Sequence, residues 1–123
     1  MQTIQQKRAS HALTQVLQAR DEGVDQKEYK SYAASLPAMI HMNGLGQAAA
    51  FFRSKGMSDT HFDLYQLLSD WLTKKGQPYE DYNDLLEGIT HSDMQSYRLA
   101  QIEAQALMSW VKKFAKAFMG EDK

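Results

Sequence analysis

Four histidines, at positions 11, 41, 61 and 91, are the first side chains to weigh for chemistry, since imidazole binds metals and moves protons near neutral pH. No two have the i, i+4 spacing of a helical metal site, and none adjoins an aspartate. His61 lies near Asp59 and Asp63, and His91 near Asp93, where short polar residues are expected to cap helices. There is no cysteine, which removes disulfides, thiolate metal sites and a cysteine nucleophile, and suits a reducing compartment. Gly44-Leu45-Gly46-Gln47-Ala48-Ala49 spells the G-x-G-x-x-A of a dinucleotide-binding turn. That turn needs a strand before its glycines, and "LPAMIHM" at 36–42 does not supply one. The glycines are instead expected to join two helices, with Gly44 as a left-handed cap and Gly46 opening the next helix. Bare N–H groups at that helix start are a secondary candidate for a phosphate. A DNA-reading helix at 60–72 is disfavoured by Asp59, Asp63 and Asp70, with Lys74 and Lys75 only at its far end. The residues therefore predict no catalytic site, no metal and no cofactor.

The closing helix offers the remaining chemistry. On a wheel, Leu99, Ile102, Ala106, Leu107, Trp110, Val111, Phe114 and Phe118 fall on one broad side, expected to face the core. The opposite side collects Arg98, Gln101, Gln105, Ser109, Lys112 and Lys116, with Lys113 on its edge. Between Met94 and Gly120 the one acid is Glu103, off this ridge. Cations and neutral donors along a rigid rod suit a phosphate backbone without reading bases. Arg8 and Arg53, with Lys7 and Lys55, are candidates to extend the basic surface. The alternative reading of the ridge is an ordinary solvated face, with lysines favoured at a helix C-terminus. The acids Glu80, Asp81, Asp84 and Glu87 are expected to form a solvated face, or to meet a basic protein partner.

Positioning these groups falls to helices. The chain of 123 residues has 14 Ala, 12 Leu and 12 Gln against 3 Val, 4 Ile and 5 Thr, and no long apolar–polar alternation. The expected fold is all-α: one domain over 1–123, a compact bundle of about five to six helices with a long C-terminal one. Spacing predicts helices from Gln2 to Arg20 and from Asp25 to a break at Leu36-Pro37. Others follow from Asn43 or Gly44 to near Gly56, from a cap at Ser58 or Thr60, and from Asp81 to Gly88. The last runs from Ser92, boxed with Gln95, to Phe118. Net charge is −1, so no global field draws the chain to nucleic acid. No apolar run could act as a signal sequence or span a bilayer, and a soluble, cytoplasmic protein is expected.

The stretch "YKSYAASLPAMIHMNGLGQAAAFFRSKG", followed by "HFDLYQLLSDWL" and a long closing helix, resembles the small subunit of the type III-B CRISPR RNA-guided effector, the Cmr complex. The likeness runs from about residue 5 to 118, and rests mainly on Asn43-Gly44-Leu45-Gly46-Gln47-Ala48. The motifs that carry the likeness leave out the acidic loop of residues 77–93. The resemblance implies a non-enzymatic helical subunit that stacks in several copies and contacts the repeated backbone subunits and the large polymerase-like subunit. It also implies a position lining the channel that holds guide and target RNA. On that reading Arg98, Lys112, Lys113 and Lys116 are the expected RNA contacts, with Arg8 and Arg53 behind them. A helical adaptor binding only proteins is the alternative; in it the acidic 80–93 region of one copy meets the basic ridge of the next.

Overall fold

The computed structural model describes residues 1–120, and all the regular elements among them are helices. Helix α1 (Ile4–Asp21) opens on Thr3, whose side chain accepts from the Gln6 N–H while Gln6 reaches back to the Thr3 N–H. Helix α2 (Gln26–Ser54) is capped by Asp25, which accepts from Glu28 N–H. Pro37 does not end it. The dihedrals stay helical through Leu36 and Pro37, and the one departure is Gly44, at φ 88° and ψ 157°. The predicted break thus lies seven residues later and belongs to glycine. Nor is Gly44 a left-handed cap: with ψ near 157° its backbone is in a region that only glycine enters freely.

Three helix starts also differ from expectation. Helix α3 (Thr60–Leu72) is capped by Asp59 rather than Ser58 or Thr60, and α4 (Leu85–His91) by Asp84, later than the predicted Asp81. Helix α5 (Met94–Phe118) is capped by Asp93, which accepts from Ser96 N–H. Ser92 is engaged elsewhere, donating to the Tyr79 hydroxyl. At α3 and α5 the carboxylate is the stronger acceptor for a helix-start N–H, and it displaces a nearby hydroxyl.

Tertiary bonds fix how the rods lie. Arg8 meets Glu103 and Arg20 meets the Phe118 carbonyl, so α1 and α5 run parallel. Along α5, Tyr97, Gln101 and Gln105 meet Gly46, Leu45 and Pro37 in turn, so α2 and α5 are antiparallel. Helix α5 is therefore wedged between two neighbours, and this sets its buried face. Ala100, Ala104, Leu107, Met108, Val111 and Ala115 are buried, whereas Leu99, Ile102 and Phe118 are 51%, 67% and 42% exposed. The core side is thus turned by roughly a quarter turn from the wheel's apolar side. Alanines permit the close approach; a wheel weighted by bulk points to the larger side chains instead.

Of the acids expected on a solvated face, Glu80, Asp81 and Glu87 are exposed, whereas Asp84 is half-buried and the chain between them is packed into the fold. Tyr79 is fully buried and its N–H donates to the Leu72 carbonyl. Asp84 accepts from the Tyr65 hydroxyl at 2.8 Å, and the Ser69 hydroxyl accepts from Leu85 N–H at 3.0 Å. Glu80 and Glu87 accept from Gly76 and Asn83 N–H groups. Burial, then the bond to Asp84, pushes the Tyr65 phenol above its ordinary value.

His11 joins α1 to α3 and yields a pH prediction. Its Nε2 lies 3.0 Å from the Leu67 carbonyl, so Nε2 carries the proton, and Nδ1 faces Lys74 Nζ at 3.3 Å. Burial first, with Lys74 adding, holds its pKa below the ordinary imidazole value. Above about 6.5, the unfolded value, both states are neutral and stability is full; as pH falls further, the unfolded chain takes the proton first. Stability is then lost until the folded value is passed. Asp63, whose carboxyl is raised mainly by burial, acts in the opposite sense over the carboxylate range. Urea midpoints between about pH 7.5 and 5.5 should fall more for the parent chain than for His11→Gln, a difference that isolates the imidazole.

Candidate nucleic-acid interface

The expected ridge on α5 is interrupted at its middle. Gln101 Oε1 accepts from Leu45 N–H at 2.9 Å, and Gln105 donates to the Pro37 carbonyl at 2.9 Å. Both amides serve the α2–α5 contact. The same contact disposes of the phosphate candidate at the glycine junction: Leu45 N–H goes to Gln101, and Gly46 N–H donates to the Tyr97 hydroxyl at 2.8 Å. Those N–H groups are occupied from within the fold.

What remains of the ridge separates into unlike parts. Arg98, Lys112, Lys113 and Lys116 are exposed on α5. Lys112 and Lys116 line one groove of about 490 Å³, and its other wall is Lys27, Lys30, Ser31 and Ala34 of α2. Among the described residues no carboxylate lines it. Lys27, Lys112 and Lys116 form no ion pair among those residues, while Lys30 donates to the Gly120 carbonyl. Small residues Ser31 and Ala34 keep the floor open between the lysines. Lys27, Lys112 and Lys116 around one trough create a local positive potential that the net charge of −1 conceals.

Arg98 and Lys113 do not line this groove. Arg8 and Arg53 leave the set on stronger grounds. Arg8 grips Glu103 with Nε and with Nη2, the latter at 2.9 Å, and its side chain is only 15% exposed. The bond to Glu103 holds its guanidinium pKa above the ordinary value. Arg53 is half-buried with its guanidinium 5.2 Å from the centre of the Phe62 ring. An arginine already engaged with a carboxylate or a ring is a poor phosphate ligand, and both act here as packing elements. The lysines missed from the sequence are Lys27 and Lys30. Their i, i+3 spacing at the start of α2 was a usable signal, but only the antiparallel register of α2 on α5 brings them opposite Lys112 and Lys116.

Among the described residues no group of three His, Cys, Asp or Glu side chains is placed to hold a metal, and no helix is long and apolar enough to cross a membrane. His61, the one histidine paired with a carboxylate among those residues, bonds to Asp59 over 2.6 Å and stacks on Tyr32 at 3.7 Å between centroids. It ties α3 to α2.

Known proteins agree with this architecture. The family model described as CRISPR-associated protein (Cas_Cmr5) matches residues 4–118. The chain is 31% identical over 121 residues to the CRISPR system Cmr subunit Cmr5 of Thermus thermophilus, covering 98% of this chain and all of that protein. A crystal structure of a CRISPR-associated Cmr5 family protein from the same organism aligns with a TM-score of 0.78 at 29% identity, covering 97% of this chain and 100% of the other. Coverage on both sides leaves no room for a different architecture, and the chain belongs to the Cmr5 family of CRISPR-associated proteins.

Proposed function

We propose that this chain is the non-catalytic small subunit of a type III-B Cmr effector and holds an RNA backbone, without reading its bases, in the groove between α2 and α5. The observation that carries this is the groove itself: lysines from two helices, Lys27 and Lys30 facing Lys112 and Lys116, with no carboxylate among the described residues of the lining. Ammonium groups neutralise phosphates as point charges, which supports affinity but not sequence preference. Arg98 and Lys113, exposed on the same helix, extend the positive surface along the strand.

Contacts with other subunits and with further copies of the chain fall to a different surface. Ile4 is 51% exposed and, from the parallel register of α1 and α5, stands level with Leu99 and Ile102. Exposed branched side chains of this kind suit protein contact and not RNA phosphate. This favours a subunit with both an RNA-facing and a protein-facing side over an adaptor binding only proteins. Photo-crosslinking of RNA in the assembled complex, followed by peptide mapping, tests the division. Adducts are expected on peptides spanning 26–34 and 112–116; an adaptor would give none on this chain.

A further inference from the structure

A second cluster of lysines shares no residue with the α2–α5 groove and takes no part in the RNA contact proposed above. Lys7 of α1, with Lys74 and Lys75 just past the end of α3, line a cleft of about 490 Å³, a volume typical of small-molecule sites. Its remaining polar wall is hydroxyls and amides: Ser10, Thr14, Gln2, Gln15 and Gln77. Among the described residues no acid lines it, and none of the three lysines forms an ion pair. The nearby carboxylates are engaged: Asp70 accepts from Gln66, and Glu80 from Gly76 N–H.

The base of the cleft is built rather than incidental. His11 is 93% buried and fixed through Nε2 to the Leu67 carbonyl, which leaves the Nδ1 lone pair facing the cleft. Lys74 Nζ donates to that lone pair at 3.3 Å, so a buried neutral imidazole holds one ammonium in place. Gln77 is 92% buried and lines the same cleft, and Trp71, its ring tilted 38° to His11 at 5.2 Å between centroids, closes the apolar side with Ile4. Three cations around neutral donors, one of them pre-positioned, favour a multiply charged anion over a carboxylate.

We infer that the α1–α3 cleft is a phosphate-binding site that takes a multiply charged phosphate group, supplied either by a free nucleotide or by RNA. The inference rests on observations separate from the α2–α5 groove. It is tested by titrating the full-length, isotopically labelled chain at low salt, with inorganic pyrophosphate in one series and a short oligouridylate in another. Saturable amide shifts at His11 and Lys74–Gln77 with pyrophosphate assign a free phosphate ligand; shifts at those amides with the oligouridylate alone assign RNA as its source. Either way, Lys7→Gln with Lys75→Gln should weaken the binding read at these amides about tenfold or more. Both lysines are exposed, so the fold survives. No shift at these amides with either probe, or binding unaffected by losing Lys7 and Lys75, overturns the site whatever becomes of the groove.

Discussion

Replacing Glu103 with glutamine should destabilise the domain by about 3 kcal/mol, seen as a fall of roughly 10 °C in melting temperature. Three donors converge on this one carboxylate: Arg8 Nε and Nη2, and the indole N–H of Trp71 at 2.8 Å from Oε2. Each side chain comes from a different helix, α1, α3 and α5, so the carboxylate joins three rods at one point. An amide has the right shape, yet it turns a donor towards the guanidinium and leaves a largely buried cation without its charge partner. The cost arises from the stranded guanidinium more than from the missing hydrogen bonds. Arg8→Met with Glu103→Met should therefore recover most of the stability, because removing both partners leaves no buried charge. A double variant as unstable as Glu103→Gln would show that packing, and not the ion pair, is the source.

Gly44→Ala should cost about 2–3 kcal/mol, and for two separable reasons. At φ 88° and ψ 157° a Cβ strains the backbone itself. That Cβ would also stand 3.2 Å from the Tyr97 hydroxyl, which is bonded to Gly46 N–H and cannot retreat without releasing it. Gly76 supplies the control, since it has φ +89° but nothing within 4 Å of the added atom. Gly76→Ala should cost only about 1 kcal/mol, the backbone share. Chemical denaturation of the two variants separates strain from collision, and equal losses of stability would remove Tyr97 from the explanation.

How much of this was legible before the fold was known varies by the kind of signal. Helix content followed from residue types, and the ends expected at Arg20 and near Gly56 were readable, since a glycine at positive φ, Gly23 or Gly56, sits just past each helix. The Asn43–Ala48 segment identified the family correctly while its mechanical role was only half visible. Its glycines do join two helical stretches, but as a kink whose exposed N–H groups are met by Tyr97 and Gln101 from over fifty residues away in sequence. No local pattern contains that information. Pro37 misled for the converse reason: the restriction it places on Leu36 is a local preference, overridden where Leu36 and Ile40 are fully buried.

The candidate site was legible by charge and not by partner. Lys112 and Lys116 were visible as cations on an exposed face, and remain so. The fate of Arg8 was not visible, because Glu103 is 95 residues away in the chain and lies beside it only through the parallel register of α1 on α5. The same limit hid Lys27, which shares a groove with Lys116 through an antiparallel pairing. In a helical bundle the face of each rod is set by its neighbours, so a wheel drawn for one helix places charges without saying what they meet.

An RNA strand held by its phosphates in the α2–α5 groove must leave its mark on salt dependence. The decisive comparison is target-RNA binding by the assembled complex across a salt series, with the parent chain against Lys27→Gln, Lys112→Gln and Lys116→Gln combined. Lys30 is kept because it ties α2 to the Gly120 carbonyl. Weaker binding is expected at every RNA sequence, with a slope of log affinity against log salt shallower by roughly 0.7 for each phosphate contact removed. Unchanged affinity together with an unchanged slope, in a complex that still assembles, would contradict a phosphate-holding role for the groove.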